Sequence, residues 1–415
     1  MLINITGFLN VVSLASDYVE ADLLSIEQNH VKRVAIIVNR LAAAAGMDED
    51  TVYAMTQAGV LHDCALAEYI HDELSDETAE PLLVVSAECI DGHREVNMAD
   101  HCIAGERMVS KLPFYDIIRG AVLHHHDRAN GSGALGKTAA ETPLCGQLMH
   151  IADRVDAAFD LSRMDRQKHA DIVTWLRSQS DIMFSEECCR LFIDNVDYEL
   201  LCSAAEPHCV ATLDELLPDR IVDIPTAAIR ELSTIFADIT DYKSRFTSRH
   251  SIGIAEKAAR MGAYYGYSAE MRDKLYIAGA LHDIGKLLIS NDILEKPGRL
   301  TDDEYQEITN HAIGTWMLLK DIEGLDEICR WASLHHEKLD GSGYPFGYSS
   351  KDLGKEERLL ACLDIYQALT EDRPYKNAMP HDNAVALMRG MGKRGKLDED
   401  IIDDIADCFA IAEQS

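Results

Sequence analysis

The 415-residue chain contains no apolar run approaching the roughly 18 residues that a membrane span requires. Residues 1–10 have no basic stretch ahead of a long apolar core, so no secretory signal is expected and a cytoplasmic location is. Positive charge is scarce: 39 Lys and Arg stand against 71 Asp and Glu, a net charge of −32. Such a surface repels nucleic-acid polymers and anionic lipid, which argues against a DNA, RNA or membrane-surface role. A small anionic substrate stays open if bound metal ions concentrate positive charge locally. The eleven cysteines are an odd number with no Cys-x-x-Cys pair, and the expectation is buried, reduced thiols. Alternating β-branched runs are also scarce, so a large sheet is not expected.

What is present is helical periodicity over an ordinary globular composition, 47% hydrophobic and 27% charged. Apolar residues recur at three- and four-residue spacing in 252–261, 275–288 and 357–370. Thr301-Asp302-Asp303-Glu304 is a capping-box helix start, preceded by a turn at residues 295–299. Residues 226–249 read as one long helix, and the acidic runs 72–80 and 398–404 as solvated faces or loops.

The chain also repeats itself. His250, His282-Asp283, His311, His335-His336 and Asp364 match His30, His62-Asp63, His101, His125-His126 and Asp153. The offset is 220 residues at the first two positions, 210 at the next two and 211 at the last. Flanking residues agree: Gly59-Val60-Leu61-His62-Asp63 lies over Gly279-Ala280-Leu281-His282-Asp283. Asn130-Gly131-Ser132-Gly133 lies over Asp340-Gly341-Ser342-Gly343. A period this long is a whole domain duplicated, since solenoid repeats run only about 20 to 50 residues. The boundary falls within 204–225, where Pro207, Pro218 and Pro225 cluster, giving domains over 1–210 and 222–415.

Histidine with carboxylate is the ligand set of iron, manganese or zinc. Seven ligands exceed the needs of one ion that also leaves room for substrate. Two divalent ions about 3.5–4 Å apart, sharing a carboxylate, fit the count and suit phosphodiester hydrolysis.

In the second copy, Leu281-His282-Asp283-Ile284-Gly285-Lys286 and His335-His336-Glu337-Lys338-Leu339-Asp340-Gly341-Ser342-Gly343-Tyr344-Pro345 resemble the two signatures of HD-GYP phosphodiesterases. Lys296-Pro297-Gly298-Arg299-Leu300-Thr301 and Ala368-Leu369-Thr370-Glu371-Asp372-Arg373-Pro374-Tyr375 are similar to two further family motifs. The resemblance covers 226 to about 389. It implies an all-α protein of two tandem HD-domain-like bundles, the second linearising a bacterial cyclic dinucleotide on an iron or manganese cluster. The substrate it implies is cyclic di-GMP or 3′,3′-cyclic GMP-AMP, and cleavage on to mononucleotides stays open. It further implies that His250, His282, Asp283, His311, His335, His336 and Asp364 hold two metal ions, with Asp283 and Lys286 at the reacting centre. Lys286 and Arg373 would grip phosphate, and Tyr344 would line the substrate pocket or a partner surface. Some relatives add a third metal through a glutamate at the position of Phe246, so two ions are expected here.

The first copy keeps the ligand positions but not their company. Leu66 stands in place of Lys286, and Ala134-Leu135 in place of Tyr344-Pro345. It resembles a degenerate domain, regulatory or structural, with a second metal site open at His30, His62, Asp63, His101, His125, His126 and Asp153. His124 is a neighbour of that set, and His71, His93, His150, His169, His208 and His381 read as structural. Glu337 and Asp340 are expected to cap and brace the loop around Gly341 and Gly343. The alternatives are a non-catalytic sensor, a docking module for diguanylate cyclases through 341–345, or an HD phosphohydrolase on another nucleotide; a homo-oligomer stays open.

Overall fold

The computed structural model describes residues 1–24, 29–65, 98–243, 250–294, 296, 298–372 and 377–410. The described residues are almost entirely helical, with two three-residue strands, Leu2–Asn4 and Ile221–Asp223, paired with each other. The chain divides into two compact units, Asn4–Arg220 and Ile221–Ser415, the latter joined by Met1–Ile3.

The first unit is built on α1 (Ile5–Leu24), α2 (His30–Ala44), α3 (Glu49–Leu61), α4 (Met98–Val109) and α5 (Leu144–Phe159). Four further helices follow: α6 (Arg166–Ser178), α7 (Glu186–Asn195), α8 (Tyr198–Ala204) and α9 (Cys209–Leu216). Val34, Val38 and Leu41 of α2 meet Met55 and Ala58 of α3 and Leu148, Ile151 and Val155 of α5 in one core. Each large aliphatic side chain buried there contributes roughly 1.5–3 kcal/mol. Asp48 caps α3 by accepting from Thr51 N at 2.8 Å.

The second unit repeats the plan with α10 (Thr226–Lys243), α11 (His250–Tyr264), α12 (Ala269–Leu281), α13 (Asp302–Leu319), α14 (Asp326–Ser333) and α15 (Lys355–Thr370). It closes with α16 (His381–Gly392) and α17 (Glu399–Ala410). The α2 and α11 helices both have 15 residues, α3 and α12 both 13, and α5 and α15 both 16. Equal lengths put matching ligands at matching helix positions. His30 and His250 each open a helix, and His62 and His282 each end one.

Two sequence expectations need adjustment. The periodic stretch 275–288 is not one helix: α12 stops at Leu281, and Ile284–Leu288 forms a 3-10 turn. The cause is a close approach, because a Cβ on Gly285 would lie 1.9 Å from the His311 carbonyl oxygen of α13. Asp283 takes the bridge conformation (φ −100°, ψ 5°) common at functional sites. His282 and Asp283 therefore form a corner, not two consecutive residues inside a helix. The long helix expected over 226–249 is seen to Lys243, and 244–249 lie outside the described residues. The capping box at Thr301 and Glu304 is present. Ten cysteines are free among the described residues, eight of them buried. No described helix is long and apolar enough to cross a membrane.

Candidate metal centre

In the second unit, α11 supplies His250, the α12 corner His282 and Asp283, α13 His311, the segment after α14 His335 and His336, and α15 Asp364. These seven side chains converge. Asp283 Oδ2 lies 3.2 Å from His282 Nε2, and its Oδ1 lies 3.3 Å from His311 Nε2 and 3.9 Å from His335 Nε2. Asp364 reaches His250 Nε2 at 3.3 Å and His336 Nδ1 at 3.6 Å. Asp283 thus turns one oxygen to each half of the cluster, as a shared carboxylate must.

The backbone orients the rings. His282, His311 and His335 each donate from Nδ1 to a carbonyl three residues back: Gly279 at 2.7 Å, Ile308 at 2.6 Å and Ala332 at 2.6 Å. This leaves a lone pair on each Nε2 pointing inward. Buried His282 Nε2 has no hydrogen-bond partner, the state expected of a metal donor. Burial holds His335 well below the usual histidine range and brings His336 down to about 3, so both rings are neutral at pH 7, the state in which imidazole can bind a metal. Burial also opposes charge on His250, but hydrogen bonds to Asp364 and Glu371 overcome it and raise that ring to about 9. Burial opposes ionisation of Asp283 too, yet His282 and Lys286 hold it well below the carboxylate range.

Lys286 Nζ donates to Asp283 Oδ2 at 2.6 Å, so its charge already sits at the cluster. Half-buried Tyr344 packs its ring 4.7 Å from His336 and 6.3 Å from His311. Glu337 accepts from Phe346 N at 2.7 Å and Tyr348 N at 3.0 Å, and Asp340 from Ser342 N at 3.0 Å, which pins the loop carrying Tyr344. Arg373, Phe246, Leu66, His71, His93 and the acidic run 72–80 lie outside the described residues.

The first unit reproduces the cluster. Asp63 Oδ2 is 3.3 Å from His62, and its Oδ1 is 3.4 Å from His101 and 3.3 Å from His125. Asp153 reaches His30 at 3.3 Å and His126 at 3.7 Å. Asp127 and Asn130 brace the loop as Glu337 and Asp340 do, and His124 turns away to Asp127 at 2.8 Å.

Several participants are invisible to motif reading. His30 donates to Asp156, itself gripped by the fully buried Arg33 at 2.7 Å, where the second unit uses Glu371 on His250 at 3.3 Å. His150 donates to the His125 carbonyl at 2.7 Å, and one of its ring nitrogens lies within 4.8 Å of donor atoms of His126 and Asp153. Cys102 lies against His101 and His125, where the second unit has Ala312. Burial raises a thiol, but these two rings overcome it and bring Cys102 down to about 6. Comparing the two copies position by position carries the signal for Cys102; for Asp156 and Glu371 the only hint is their place one or two turns beyond the carboxylate ligand.

The donor sets of both units, imidazole nitrogens and carboxylates buried together with unpartnered atoms on His282, His62 and His126, fit a divalent transition metal. Family profiles described as HD domain match residues 28–158 and 234–401. The 3′3′-cGAMP-specific phosphodiesterase 1 of Vibrio cholerae serotype O1 is 28% identical over 388 residues, 91% of this chain and 86% of that protein. A cyclic di-GMP phosphodiesterase of Pseudomonas aeruginosa is 29% identical over 206 residues, 47% of this chain and 49% of its own. In fold, the chain resembles the crystal structure of a cyclic GMP-AMP specific phosphodiesterase of V. cholerae, with a TM-score of 0.59 and 20% identity over 99% of this chain and 98% of that one. The protein is therefore an all-α tandem of two HD domains.

Proposed function

We propose that the second HD domain is a metal-dependent phosphodiesterase that opens a bacterial cyclic dinucleotide, cyclic di-GMP or 3′,3′-cyclic GMP-AMP, to its linear form. The observation that carries this reading is the completeness of the second cluster: seven converging donors, with Lys286 and Tyr344 beside them. Likeness to a 3′3′-cGAMP-specific phosphodiesterase over nine-tenths of the chain supports the substrate class.

His250, His282, Asp283, His311, His335, His336 and Asp364 would hold two ions, iron or manganese. Such ions supply Lewis acidity toward a phosphoryl oxygen and a nucleophile at neutral pH. The protein's own part is to place charge and shape around them. Lys286 is poised to exchange its contact with Asp283 for a phosphate oxygen, and Arg373 is assigned to the other phosphate. Tyr344 presents an aromatic face beside His336, suited to stacking a base or closing the pocket. Glu371 holds His250 in register. The first HD domain lacks the lysine and the Tyr-Pro pair, and its assigned role is regulatory or structural. The direct test is turnover of the two cyclic dinucleotides, side by side, by purified protein loaded with Mn²⁺ or Fe²⁺. Absence of cleavage with both metals would overturn the assignment.

A further inference from the structure

The two clusters are close copies, yet the first adds a sulfur donor that the second lacks. Cys102 follows His101 on α4 where Ala312 follows His311 on α13, and both side chains are fully buried. Cys102 Sγ lies 3.7 Å from His101 Nε2 and 3.6 Å from His125 Nδ1. Donor atoms of His101, Cys102, His125 and His126 all fall within 4.8 Å of one another. His101 Nε2 and His125 Nε2 are 3.2 Å apart, and buried His126 Nε2 has no hydrogen-bond partner. A tetrahedral zinc with nitrogen and sulfur bonds of about 2.0–2.3 Å has ligand–ligand edges of roughly 3.3–3.7 Å. The 3.2 and 3.7 Å separations that meet at His101 Nε2 lie at that scale, whereas Cys102 faces His125 on its Nδ1 side, where Nδ1 donates to the Val122 carbonyl, so the His125 ring must shift to bring Nε2 and the sulfur onto one ion.

We propose that the first HD domain holds a zinc ion through Cys102 together with His101, His125 and His126. The second domain, with Ala312 at the matching position, cannot form this centre. Binding forms a zinc–sulfur bond and releases the thiol proton to water. Soft thiolate discriminates against manganese and ferrous iron, so the tandem would carry different metals in its two halves. Four nitrogen and sulfur donors, with Asp63 Oδ1 beside them at 3.4 Å from His101 and 3.3 Å from His125, leave no open position, in keeping with a structural or sensing role. None of this depends on hydrolysis in the second domain.

The test uses the full-length protein, stripped of metal and reloaded with Co²⁺ as a spectroscopic substitute for zinc. Unaltered protein should show a sulfur-to-cobalt charge-transfer band together with ligand-field absorption. Cys102→Ala should lose the charge-transfer band while keeping ligand-field absorption from the second domain. Alanine is the residue that the matching site already tolerates, and the near-isosteric Cys102→Ser must lose the band as well. In parallel, unaltered protein loaded with Zn²⁺ should retain one more zinc per chain than either variant through dialysis against excess Mn²⁺. No sulfur band in the unaltered protein, a band unchanged by either substitution, or displacement of the zinc by Mn²⁺ would each overturn the proposal.

Discussion

Glu371 accepts from His250 Nδ1 at 3.3 Å, and its influence on the cluster passes through that ring. Glu371→Gln keeps the size of the side chain but removes its charge. Loss of an outer partner of this kind weakens metal binding about 10- to 100-fold. Chelator competition on the variant measures it, and unaltered affinity would return Glu371 to a packing role. Lys286 acts differently, because its ammonium group already sits 2.6 Å from Asp283. Lys286→Ala should leave the metal content in place yet slow cleavage by about 30- to 1000-fold, the loss of roughly 2–4 kcal/mol of charged contact to the reacting phosphate. Metal analysis beside single-turnover kinetics separates the two effects. Replacing His282 and Asp283 together by alanine should abolish cleavage and lower the metal content, since two donors leave at once; full activity would remove the catalytic assignment.

The elements that carry these ligands are held by close backbone contacts. A Cβ on Gly279 would lie 2.8 Å from Ala255 Cα, so α12 rests directly on α11. Gly59 repeats the contact in the first unit, where a Cβ would lie 2.6 Å from Ala35 Cα. Gly279→Val must push the two helices apart, at a cost of about 1–3 kcal/mol, and must shift His282, which donates to the Gly279 carbonyl. The expected result is a lower thermal midpoint together with weaker metal binding. A fall in the midpoint alone, with metal affinity intact, would show that α12 can move without carrying its ligand.

At the scale of the molecule, two buried clusters set the pH response of metal-stripped protein. Burial, opposed by contacts that win (Asp364 and Glu371 at His250, Asp63 and Cys102 at His101), leaves both rings at about 9, above their ordinary 6.5. Their stabilisation is complete below about 6.5 and is lost as pH rises through 9, because the folded state holds protons that the unfolded chain has released. Burial leaves His336 at about 3 and His150 at about 4. Those two favour folding above 6.5, and stability falls as pH drops below it, where only the unfolded chain binds protons readily. Metal-stripped protein should therefore be most stable near pH 6.5, which urea titrations across pH 4–9 would show. A monotonic profile would mean that other groups dominate. The duplication predicts a second asymmetry: substituting His62 and Asp63 should alter stability or regulation while single-turnover cleavage stays near that of the unaltered protein. Loss of the chemical step would show that the first domain takes part directly.

The sequence by itself determined the duplication, the all-helical class and which histidines and aspartates converge. Histidine and aspartate in a fixed order, written twice at a nearly constant offset, admit few other meanings. Helical periodicity located α11 and α15 because their apolar residues recur over three to four turns. It could not place the corner at His282 and Asp283, because the close approach of Gly285 to α13 is a contact between distant segments. Nor could it show that Cys102 turns toward His101 and His125, or that Arg33 locks Asp156 onto His30. Which side chains share a cluster depends on how helices far apart in the chain pack, and that was decided only in three dimensions.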